Sequence, residues 1–117
     1  MATIKSYTDL EQSKKLAEFL PLESADMDYI PIANIDGEYS IAVNIWDNDH
    51  VIEEGWIPCW SLAALINVLP QGTRLLKSAT DETYHCDCPK GNIDKWFDSP
   101  IDAAFEMICW LKENGKI

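Results

Sequence analysis

Asp47, Asp49, Glu53 and Glu54 set four carboxylates close together, with Trp46 and Trp56 flanking them and Trp60 just beyond. Carboxylates at that density can hold a hard cation, act as an acid and base pair, or present a negative surface to a basic partner. Spacing rules out an EF-hand, because the sharp-turn position lacks glycine and Pro58 stands where the bidentate glutamate belongs. The catalytic alternative is a small enzyme using Asp47, Asp49 and His50, or Cys59 as a helix-start thiol of lowered pKa between Pro58 and Trp60. No Gly-x-Ser-x-Gly, His-Glu-x-x-His or Gly-rich phosphate loop accompanies them, so no catalytic residue is assigned. The third reading is favoured: tryptophan concentrates binding energy, and Trp46, Asp47, Asp49, Glu53, Glu54, Trp56 and Trp60 form the candidate partner-binding set.

His85-Cys86-Asp87-Cys88 is the other cluster with ligand chemistry, since thiolate and imidazole suit zinc. On a strand His85 faces away from Cys86 and Cys88, and structural zinc sites space their pairs by two to four residues. Core thiols are the simpler reading, and neither metal nor cofactor is expected. The amino-terminal residues show no export signal and no stretch is long enough to span a bilayer, so a cytoplasmic protein with reduced cysteines is expected.

Twenty acidic residues against nine basic ones give a net charge of −11. The distribution is sharper than the sum: no Lys or Arg lies between Lys15 and Arg74, where ten of the acids fall. Such a surface repels nucleic-acid phosphates and anionic lipid and attracts a basic protein.

The elements that must position these residues follow from local pattern. Thr8-Asp9-Leu10-Glu11 reads as a capping box that starts a helix over 9–20, which Pro21 closes. Met27 to Ile35 is β-favouring, with Pro31 marking an edge or a bulge, and Asp36-Gly37 reads as a tight turn. Tyr39, Ile41, Val43 and Ile45 alternate with polar or small residues in a strand over 38–46. Val51-Ile52 with Trp56-Ile57 suggests a return strand. A second helix over about 58–69 opens at Pro58 or Ser61 and is apolar on nearly every side. It is therefore central or covered by another subunit, the central placement being favoured. Strands follow over 73–78 and 83–88, with 93–97 as a hairpin partner. The last helix has Ser99 as N-cap, Pro100 at its first position and Gly115 past its end. The expectation is one α+β domain over 1–117. In it an antiparallel sheet of about five strands is packed by three helices, in approximate order α-β-β-β-α-β-β-β-α.

The segments Ile57-Pro58-Cys59-Trp60-Ser61-Leu62-Ala63-Ala64-Leu65 and Ser99-Pro100-Ile101-Asp102-Ala103-Ala104-Phe105-Glu106-Met107-Ile108 carry a resemblance, as does the opening Ser6 to Leu16. The chain resembles small uncharacterised proteins encoded by gut bacteria and by their phages, prophages and mobile elements. That resemblance implies no activity or cofactor. It implies a mobile-element setting, in which a non-enzymatic accessory protein binding a basic macromolecule is the leading expectation.

Overall fold

The last helix organises the molecule. In the computed structural model, which describes residues 5–43 and 55–117, Ser99 Oγ accepts the Asp102 amide at 3.0 Å. Pro100 takes a first-turn position. The helix ends at Glu113, and Gly115 adopts a φ of +67° just beyond it. Ile101, Ala103, Ala104, Phe105, Met107, Ile108, Cys109 and Leu111 are all buried, more than one stripe of a surface helix.

The described elements are α1 (Leu10–Ala17), a 3₁₀ turn (Leu22–Ser24), β1 (Met27–Pro31), β2 (Tyr39–Val43), β3 (Ile57–Cys59), α2 (Leu62–Val68), β4 (Arg74–Lys77), β5 (Tyr84–Asp87) and α3 (Pro100–Glu113). The fold is α+β, with three α-helices and five antiparallel strands among the described residues. Those strands form two sheets rather than one: a three-stranded sheet in the order β2-β1-β3, and the β4-β5 hairpin. The segment 93–97 contributes an isolated bridge, Tyr84 to Phe97, and no strand.

Several sequence expectations shift for physical reasons. The first helix is capped by Asp9, not Thr8: Asp9 Oδ1 accepts the Gln12 amide at 2.8 Å, and Gln12 Oε1 accepts the Asp9 amide at 3.1 Å. Thr8 is instead buried, its hydroxyl 2.7 Å from Ser13 Oγ and accepting the Trp60 amide at 3.2 Å. α2 starts at Ser61, whose hydroxyl accepts the Ala64 amide, while Pro58 belongs to β3. The central helix is α3, and α2 lies against it through Ala64, Leu65 and Leu69 with Ile66 left exposed. Ala63, Ile66 and Asn67 form the exposed side of α2.

Pro31 sits in the central strand, not at an edge, and the ladder explains why. The Ile32 amide donates to Glu38 O at 3.0 Å, and the register pairs Ile30 with Ser40 and Asp28 with Ala42. Hydrogen-bonded and non-bonded pairs alternate in an antiparallel ladder. Ser40 and Ala42 therefore direct their amide and carbonyl groups to β1, while Met27, Tyr29 and Pro31 direct theirs away from β2. β3 pairs with β1 only as far as Tyr29, so the missing Pro31 donor faces no β3 acceptor.

The main core joins Leu16, Trp60, Leu65, Leu69, Cys86, Cys88 and the inner face of α3. None of β1, β2 or β3 enters that cluster, and the three-stranded sheet is attached through β3 and α1. The β1-β2 hairpin therefore extends beyond the main core.

Candidate interaction surface

Residues 31–38 are exposed without interruption. Ile32 retains 38%, Ile35 51% and, on β2, Val43 61% of its accessible surface, a concentration of exposed large aliphatics on one hairpin. The connection is held by a bond from the Ile35 amide to Ile32 O at 3.2 Å. Asn34 and Gly37 take φ values of +68° and +80°, so the expected Asp36-Gly37 turn is the second half of a wider connection.

A tyrosine series fixes this hairpin to the body. Tyr29 packs edge to face with Tyr7 at 6.3 Å and with Tyr39 at 6.2 Å, and its hydroxyl donates to Thr8 O at 2.8 Å. Burial beside Cys59 pushes the Tyr29 hydroxyl pKa up, so it stays a neutral donor. Because side chains alternate, Tyr39, Ile41 and Val43 share the face of Tyr29, whereas Glu38 and Ser40 share the other. Asp36 and Glu38 are exposed at the tip, and the chain from 16 to 73 supplies no Lys or Arg to neutralise them. Lys5 is engaged elsewhere, 2.8 Å from Asp102 and 3.1 Å from Asp9. The arrangement is an acidic aliphatic connection at the hairpin tip.

Of the sequence-derived set, Trp46, Asp47, Asp49, Glu53 and Glu54 lie outside the described residues, as does His50. Trp56 is half-buried where the chain enters β3. Trp60 is a correction: it is fully buried, its indole N–H donating to Ser24 Oγ at 2.9 Å, so it belongs to the core and not to a surface. Cys59 sits on β3 rather than at a helix start, is fully buried, and has its thiol pKa raised by burial. It lacks the exposure and lowered pKa of a nucleophile. Sequence reasoning passed over Ile32, Ile35 and Val43. Aliphatic residues between Pro31 and Asp36-Gly37, the positions of a connection, were the signal that could have found Ile32 and Ile35.

Cys86 and Cys88 are buried in the core, while His85 lies on the outer face of β5. There its ring packs 5.2 Å from Trp96 and its Nδ1 lies 3.1 Å from Lys95 O. Among the described residues no three His, Cys, Asp or Glu side chains are grouped to hold a metal ion. A shallow cleft of about 230 Å³ lies between Lys15, Ile93 and the Phe105–Glu113 face of α3. No described helix is long and apolar enough to cross a membrane. Comparison with protein-family models, curated proteins and solved structures finds no match.

Proposed function

We propose that this chain is a non-enzymatic accessory protein of a mobile element or phage that binds a basic macromolecular partner through the acidic, aliphatic β1-β2 hairpin. One observation carries the reading: Ile32 and Ile35 are exposed on the hairpin connection outside the main core, beside Asp36 and Glu38 in a stretch free of Lys and Arg, with Val43 exposed at the other end of β2. Exposed aliphatics rimmed by one sign of charge are a signature of a protein-binding patch. Burying the exposed half of Ile32 and Ile35 contributes about 1 kcal/mol apiece, so the tip supplies roughly thirtyfold in affinity. Negative charge at the tip adds attraction and steering toward a cationic surface. The acids Asp47, Asp49, Glu53 and Glu54, with Trp46 and Trp56, belong to the same base-free stretch of the sequence.

The test is affinity capture from the native host with the wild-type chain and with the triple variant Ile35→Ser, Asp36→Lys, Glu38→Lys, followed by mass spectrometry. Basic proteins retained by the first and lost by the second are expected. Identical captures with both would contradict the proposal.

A further inference from the structure

Among the described residues β2 is an edge strand, and the ladder geometry settles which of its backbone groups face away from β1. Ser40 and Ala42 bond toward β1, so the amide and carbonyl groups of Tyr39, Ile41 and Val43 point away from it. Among the described residues β2 pairs with β1 alone. An edge of this kind is a template for another strand, and β2 has none of the usual blocks: its sequence, Tyr39-Ser40-Ile41-Ala42-Val43, contains no lysine, proline or other charge. From the geometry we infer that the partner adds an extended segment to this edge, with aliphatic residues alternating with Lys or Arg. This inference rests on the proposed binding role of the hairpin and specifies its mode.

The side-chain chemistry follows from the register. Alternate residues of an added strand lie on the face of Tyr39, Ile41 and Val43, where Val43 is the most exposed large hydrophobic residue of the described chain and takes aliphatic contacts. The intervening residues lie on the face of Glu38 and Ser40, where the exposed Glu38 carboxylate faces no Lys or Arg from 16–73 and selects a cation. Backbone bonds supply affinity and this alternation supplies specificity, as in other strand-addition complexes.

The first measurement is amide hydrogen exchange of the free wild-type chain. Tyr39, Ile41 and Val43 should exchange fast while Ser40 and Ala42 are protected. Protection at all five would mean that the chain occupies its own edge, and would overturn the inference. The second measurement adds a short capped peptide alternating lysine and valine, with its alternate-amide N-methylated form as control. Slowed exchange at Ile41 and Val43 with the first peptide only is expected. Ile41→Pro, which removes an outward amide and leaves the β1 bonds in place, should weaken binding by at least about fivefold, the loss of one net hydrogen bond. Equal, salt-sensitive binding of both peptides without slowed exchange would overturn strand addition while leaving a charge-driven partner role standing. Failure of both peptides to bind would overturn both.

Discussion

Replacing Thr8 by valine should destabilise the protein by about 2 kcal/mol although shape and volume are nearly kept. The Thr8 hydroxyl accepts the buried Trp60 amide at 3.2 Å and lies 2.7 Å from Ser13 Oγ, and valine supplies no oxygen for either. A buried amide stripped of its acceptor costs about 1–3 kcal/mol. Ser13 keeps a weaker recourse, because Thr8 O lies 3.5 Å from its hydroxyl. For 117 residues the unfolding entropy is about 0.25 kcal/mol/K, so 2 kcal/mol lowers Tm by about 8 °C. Thr8→Ser keeps the oxygen and loses only a methyl, about 1 kcal/mol or less. Thermal melts of the two variants followed by circular dichroism make the comparison. A valine variant as stable as the serine variant would refute the view that this hydroxyl joins α1 to the β3-α2 junction.

Gly91→Ala should cost about 1–3 kcal/mol by overpacking, because a Cβ there would stand 2.8 Å from Trp110 Cζ3 and 3.0 Å from Met107 Sδ; an unchanged chemical-denaturation midpoint would contradict that packing. The Lys5–Asp102 contact gives a signed pH dependence. Burial opposes ionisation of Asp102, but hydrogen bonds from Lys5 and Gln12 outweigh it and hold the carboxyl below 3.8. Its contribution is thus present above that value and lost as pH falls through the lower folded one. Burial likewise opposes the charge on Lys5, yet Asp102 and Asp9 raise its pKa above 10.5, so that contribution is present below 10.5 and lost as pH climbs through the raised value. Lys5→Met should flatten both limbs of stability against pH, and a profile identical to wild type would count against the pairing. Burial pushes the thiol of Cys86 up to about 12 and that of Cys109 to about 11, and raises Cys59 as well. A colorimetric thiol reagent at neutral pH should therefore find these three unreactive until the protein unfolds, and rapid modification of any of them in the folded state would contradict their burial.

What was legible in the sequence was what depends on neighbours along the chain. Ser99, Pro100, Asp102 and Gly115 mark the ends of α3 because cap bonds span three or four residues, and the Tyr39-Ile41-Val43 alternation marks β2 in the same way. Local pattern placed the N-cap at Thr8, and the structure places it at Asp9. The choice between them is made by Trp60, fifty-two residues away, which recruits the Thr8 hydroxyl and leaves the helix to Asp9. Strand pairing is equally non-local, so neither the division into two sheets nor the central position of β1 could be read from period alone. Trp60 shows the same limit for the candidate site: its proximity to the acidic stretch suggested a surface, whereas its indole bond to Ser24 and its contacts with the core depend on tertiary packing. The base-free charge pattern was plain in the sequence, but the exposure of Ile32, Ile35 and Val43 required knowing that the hairpin extends beyond the core.

The account is tested most directly by the association rate of the purified host partner measured against rising salt, for wild type and for the double variant Asp36→Lys, Glu38→Lys. Exposed charges are screened over about 8 Å at physiological ionic strength, so attraction carried by the hairpin fades as salt increases. The wild-type rate should fall steeply with salt, and the variant should associate more slowly at low salt with a much shallower dependence. Equal rates for the two proteins, indifferent to salt, would contradict a binding role for the acidic hairpin.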